Sequence, residues 1–194
     1  MQKEINQNIS LVKNNIAVAS KKANIDPRMV SLIAVSKKKD HEYIRAAIEL
    51  GLNDFGENYA QELASKAELL QNEDINWHFI GPIQTNKIKL ITTHASWIHS
   101  LDRPKVVDKL NNECIASNKK MNALIQINIS GEETKSGISP NTLLEFASYV
   151  NLQSNIVLKG IMVLPKMTNN IIDKEREMIK ARKLHNNLVK EFPE

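Results

Sequence analysis

Residues 32–59 read LIAVSKKKDHEYIRAAIELGLNDFGENY. The segment opens at 32–36 on a short apolar run rich in branched residues, the pattern of a buried strand. Ile44, Ala47 and Ile48 follow at spacings of three and one, which lays an apolar stripe along one face of a helix. A second apolar run closes the segment at 54–56. Strand, helix, strand is the unit that connects parallel strands, because parallel partners need a long crossover and a helix supplies it.

The same period continues along the chain. Further strand-like runs fall at 77–80, 97–101, 124–129 and 157–164. Between them, Leu63, Ala67 and Leu70, then Val106, Val107 and Leu110, then Leu143, Leu144, Ala147 and Val150 recur at helical spacing. Right-handed crossovers between parallel strands leave two architectures open, a doubly wound sheet or a (β/α) barrel. An extra helix is predicted over 3–23, with Ile5, Ile9, Leu11, Val12, Ile16 and Ala19 as its stripe, packed outside the barrel or across one end. The six strands are about 25 residues apart, whereas a complete eightfold barrel takes about 250 residues, so two units are expected to be missing. The tail from 171 to 194 has Ile172, Met178, Ala181, Leu184 and Leu188 for one more helix. Residues 1–194 therefore read as one C-terminally incomplete domain.

Composition narrows the function classes. Hydrophobic residues make up 42% and charged residues 25%, the balance of a chain that folds. The 26 basic and 22 acidic side chains are interleaved, without an arginine-rich tract, which argues against nucleic acid as partner. Residues 1–10 lack the apolar core of a signal peptide, and no apolar run approaches the ~20 residues of a membrane span. The lone Cys114 cannot form an internal disulfide. The expected compartment is the cytoplasm.

Barrels of this kind hold their reactive groups where strands end, so the informative residues are those at which each apolar run turns polar. The first run ends on Lys37, the second on Glu57, Asn58 and Tyr59, the third holds His78 before Gly81, the fourth gives His99 and Asp102, and the sixth Met162 and Pro165. A lysine at a barrel mouth that loses hydration becomes a neutral amine able to condense with an aldehyde. On spacing alone, Lys37, Lys38 and Lys39 read first as a solvated run. His78, between two aromatic residues, reads as a core or supporting histidine satisfied by a backbone partner. Asn58 either caps the next helix or donates to a ring oxygen of a cofactor. The stretch 130–137 has two glycines and a lysine without Walker spacing and reads as an ordered loop after the fifth strand.

Several segments, in order, carry a resemblance. They are Ala34-Val35-Ser36-Lys37; Phe55-Gly56-Glu57-Asn58-Tyr59 with Gln61-Glu62; Trp77-His78-Phe79-Ile80-Gly81 with Gln84 and Asn86-Lys87; Asn128-Ile129-Ser130-Gly131-Glu132-Glu133 with Lys135-Ser136-Gly137; and Lys159-Gly160-Ile161-Met162 with Pro165. Together they resemble the pyridoxal phosphate homeostasis proteins, also described as YggS-like or proline synthetase co-transcribed proteins, which are relatives of the alanine racemase N-terminal barrel. Pro82 departs from the family pattern, where histidine is usual.

The resemblance implies a TIM-type (β/α) barrel with about six of eight strands present, binding pyridoxal 5'-phosphate (PLP) as an imine of Lys37. It also implies that Asn58 lies beside the cofactor ring and that His78 and Met162 line the pocket. The implied role is non-catalytic: a carrier or buffer of PLP that passes it to PLP-dependent apoenzymes, with Lys39 and Lys135 as candidate secondary amines. A complete barrel of this kind is expected to be a monomer. Two other readings stand beside it. One is an amino-acid racemase, and the other is a remnant with impaired cofactor binding, because the family's phosphate-binding loops follow strands seven and eight.

Overall fold

The computed structural model describes residues 2–132 and 134–193. Six strands alternate with helices: α1 Gln2–Ala23, β1 Ala34–Val35, α2 His41–Ile48, β2 Asp54–Glu57, α3 Ala60–Leu69, β3 Asn76–Phe79, α4 Ile88–His94, β4 Trp97–Leu101, α5 Pro104–Ala116, β5 Met121–Ile127, α6 Leu143–Asn151, β6 Ile156–Val163 and α7 Ile171–Glu191. Local chemistry sets several helix ends. The Asp40 carboxylate accepts the Glu42 N–H at the start of α2, Asn170 does the same for Ile172 at α7, and Pro104 occupies the first turn of α5.

The strand order separates the two architectures. All pairings are parallel, and the order is β1-β2-β3-β4-β5-β6, with each strand beside its sequence neighbour. A doubly wound sheet reverses direction at a switch point, whereas a monotonic order, here with α3 to α7 each packed on the next, is the wall of a barrel. Among the described residues β1 pairs only with β2 and β6 only with β5, so the wall is open on that side. The alanine-racemase-type α/β fold with six parallel strands is the one expected from the sequence. The N-terminal helix packs on α2, outside the wall.

Alternation along the strands divides the interior into two regions. Phe55, Trp77, Phe79, Ile98, Ala123, Ile125 and Ile127 face the helices and meet Ile44, Leu63, Ile88, Ile91, Val107, Leu110, Ala147 and Val150 in one core. Each such side chain, fully buried, contributes about 1.5–3 kcal/mol. Residues on the opposite face point into the lumen, and there the usual branched apolar layers are partly replaced by Asp54, Asn76, His78, His99 and Gln126. Some boundaries differ from the pattern-based expectation. β1 keeps only two residues, β5 starts at Met121 instead of 124, and α4, seven residues long, was not anticipated. Of the motif residues, Glu133 lies outside the described residues.

Candidate functional site

Lys37 lies on the turn that follows β1. The Lys39 N–H returns to the Ser36 carbonyl at 3.0 Å, and Lys38 takes a positive φ of 59°, which is uncommon outside glycine. Its side chain is exposed, not sheltered in the barrel mouth as the strand-end argument suggests, because the turn projects beyond the last β1 residue. Beneath the turn lies a buried polar cluster. The Lys66 ammonium donates to the Ser36 carbonyl, Glu57 Oε1 and Glu62 Oε1, all at 2.7 Å. The Ser36 hydroxyl donates to Glu57 Oε1 at 2.7 Å, and the Lys38 N–H to Glu62 Oε1 at 2.6 Å. Burial pushes the Glu57 carboxyl above the usual carboxylate range, opposed by the hydrogen bonds from Lys66 and Ser36.

Asn58 follows β2. Helix α3 begins at Ala60 with Tyr59 as its N-cap and no side-chain cap, so Asn58 is not spent on capping. Its Oδ1 is buried and has no partner among the described residues. A polar atom left in that state is costly unless a ligand or water meets it. Its backbone is fixed by Gly81, where an added Cβ would lie 2.1 Å from the Asn58 carbonyl oxygen. No larger residue fits there without moving a strand end.

Asn58 opens onto a cavity of about 260 Å³ lined by Gly81, Gln126, Asn128, Lys135, Ser136 and Leu164 among others. Its floor is the end of β5 and its rim is the loop 128–138. Asn128 organises that loop: Oδ1 accepts the Gly131 N–H at 3.0 Å, and Nδ2 donates to the Glu132 carbonyl at 2.8 Å and the Lys135 carbonyl at 3.3 Å. The loop closes back on β5 through Ile138 N–H to the Gln126 carbonyl at 2.9 Å. Gly137, at φ 117°, passes so close that a Cβ would lie 2.7 Å from the Asn128 nitrogen. The described residues of the stretch 130–137, which is expected to be an ordered loop, are tied to one another and to β5 by these bonds. Lys135 pairs with Glu132 at 2.6 Å, and its amine also donates to the Leu164 carbonyl at 3.4 Å.

His78 lies deeper in the lumen and does not line this cavity. It is satisfied by side chains, not by the backbone partner expected from its setting. Nδ1 lies 2.9 Å from His99 Nε2, Nε2 lies 3.0 Å from Asp54 Oδ1, and the ring stacks on Trp97 at 5.6 Å. Burial first, and His78 second, push the His99 pKa down to about 4. Met162 pairs in register with Gln126, which places it on the lumen face of β6, half-buried and outside the cavity lining. Lys39 turns away, with its amine 5.1 Å from the Tyr43 ring centroid. The cavity thus joins Asn58 with Lys135, while Lys37 on the turn after β1, His78 on β3 and Met162 on β6 lie outside its lining. Reasoning from strand ends missed Lys66, Gln126 and Asn128. The spacing Glu62 to Lys66, one helical turn, was the available signal for the first of these.

The chain matches the model of the alanine racemase N-terminal domain over residues 8–190. The chain belongs to that family. Over 191 residues it is 39% identical to the pyridoxal phosphate homeostasis protein of Haemophilus influenzae, covering 97% of this chain and 81% of that relative. Among solved structures it is similar to an unknown protein from Bifidobacterium adolescentis, with TM-score 0.93, 28% identity and coverage of 98% of this chain and 81% of the other. It is also similar to PipY of Synechococcus elongatus PCC7942 with PLP bound, with TM-score 0.79, 26% identity and coverage of 91% and 82%. Among the described residues no helix is long and apolar enough to cross a membrane.

Proposed function

We propose that this family member binds PLP at the strand ends around Asn58 and carries it as an imine of Lys37, as a non-catalytic reserve for PLP-dependent apoenzymes. The relatives' name and the PLP-bound PipY support the ligand. The choice of Lys37 rests on its place at the end of β1, supported by an uncommitted amine, which among the described residues it shares with Lys38. Among the described residues, the amines of Lys66 and Lys135 are held by carboxylates and Lys39 lies over Tyr43, while no hydrogen bond or ion pair engages the Lys37 amine. Bound PLP supplies an aldehyde, and a free primary amine is what condenses with it.

The other side chains have roles suited to holding the ring. Asn58 lines the cavity and carries a buried amide oxygen unpaired among the described residues, the clearest sign that the residues present fit a polar ligand. Gln126 and Asn128 line the same cavity, and Met162 lies beside Gln126 on the lumen face of β6. His78 supports the floor from below, held in orientation by Asp54 and His99. Of the two candidate secondary amines, Lys135 lines the cavity and pairs with Glu132, whereas Lys39 lies over Tyr43. A reducing cytoplasmic setting suits the buried thiol of Cys114.

The test is a visible spectrum of the purified chain with PLP, then borohydride reduction and peptide mapping. A visible imine band with the label on Lys37, lost in Lys37→Ala, is the expected result. Label spread over many lysines would overturn it. Formation of D-alanine from L-alanine above the Lys37→Ala background would overturn the non-catalytic part.

A further inference from the structure

Lys66 is only 6% exposed, yet its position on α3 gives it no direct part in holding a ligand. An ammonium has three protons to donate, and here each meets an oxygen at 2.7 Å: the Ser36 carbonyl, Glu57 Oε1 and Glu62 Oε1. Such an amine is fully engaged and cannot serve as a nucleophile. The cluster instead grips the turn that bears Lys37. Ser36 is held by its carbonyl and its hydroxyl, and Lys38 by its N–H on Glu62. Lys37 stands between the two held residues and contributes no bond of its own. The left-handed conformation of Lys38, φ 59°, is one that a non-glycine residue keeps only where its surroundings impose it, and the bond from its own N–H to Glu62 imposes it here.

We propose that Glu57, Lys66 and Glu62 form a positioning device that fixes the turn from which the Lys37 side chain projects. None of the three is a catalytic residue, since each acts through the turn. The purpose of the device rests on the PLP reading given above. In the condensation that it would serve, the Lys37 nitrogen forms a C=N bond to the aldehyde carbon, and the carbonyl oxygen leaves as water with both amine protons. Misaiming the attacking atom is costly, because reactions between held groups depend on near-attack geometry.

The test uses the full chain with Lys66→Met and Glu62→Gln. The second is the milder variant, since Glu62 is 23% exposed, and it decides the matter if Lys66→Met does not fold. Two readouts are needed. One is the rate of appearance of the imine band with added PLP as a function of pH. The other needs no PLP: the titration midpoint of the Lys37 resonance after light reductive methylation with ¹³C-formaldehyde. The expected result is a condensation rate at Lys37 lowered roughly tenfold or more, together with a displaced Lys37 midpoint, in variants whose circular dichroism matches the parent. If the parent condenses at Lys37 and both variants match it in rate and midpoint, the device does not position the amine. If the parent does not condense at all, the PLP reading fails, and a displaced midpoint still upholds the mechanical link.

Discussion

The His78–His99 pair should make stability fall on mild acidification, and replacing His99 by glutamine should remove that fall. His99 is held neutral: its pKa drops from 6.5 to about 4 because the ring is buried and faces His78 across 2.9 Å. A second proton on the pair would set two N–H groups against each other. In the unfolded chain His99 titrates near 6.5, so between that value and about 4 the unfolded state binds a proton that the folded state does not. Stability then rises with pH through this window and falls as pH drops through it. At about 1.4 kcal/mol per tenfold change, the gap sets a ceiling of ~3 kcal/mol, and solvent still reaching the ring reduces this to about 2 kcal/mol. Urea unfolding at steps from pH 8 to pH 4 is the assay, for the parent and His99→Gln. Between those limits the parent should lose about 2 kcal/mol more than the variant. Glu57, whose raised pKa acts in the opposite sense, is common to both chains and cancels in the difference. Parallel curves, or a parent that gains on the variant in acid, would refute the neutral-His99 argument.

Three further substitutions probe the cavity walls. Gly81→Ala should cost about 1–3 kcal/mol in urea unfolding and weaken PLP binding, since the new methyl meets strand-end backbone and not a movable side chain. Unchanged stability would mean that the β2 and β3 ends separate easily. Asn128→Ala removes four loop bonds and should lower stability by about 1–2 kcal/mol. Its sharper sign is faster proteolytic nicking between 130 and 137, and resistance equal to the parent's would count against Asn128 as organiser. Gly137→Ala, at φ 117° and against the Asn128 nitrogen, should reproduce the same nicking.

The parts of the structure legible in the sequence are those set by local pattern. Runs such as Trp97–Leu101 and the stripe through Ile44 and Ala47 bury what their spacing says they must, because periodicity and burial are the same fact seen along and across an element. Where the pattern faces the lumen it blurs. Met121 and Asn122 belong to β5, but Asn122 points to the polar lumen beside Trp97, so the run seems to begin only at 124. The brevity of β1 has a similar origin. Leu32 and Ile33 are apolar without being paired, and the first ladder partner of β2 is Ala34.

The site divides along the same line. Strand-end position put Lys37 and Asn58 among the candidates, because the barrel topology brings such ends to one face, and the family resemblance chose between them and the solvated-run reading. Which of those residues is free to react depends on partners far away in sequence. Lys66 reaches Ser36 across 30 residues, and His78 reaches His99 across 21 and Asp54 across 24. A lysine on a helix and a lysine after a strand look alike in composition, yet one is bound by three oxygens and the other by none among the described residues. That difference in commitment, more than any difference in local motif, distinguishes the nucleophile from its support. The sequence pattern places the candidate amines, and the contacts that commit Lys66 and Lys135 to carboxylates appear only once the helices and loops are folded against the strand ends.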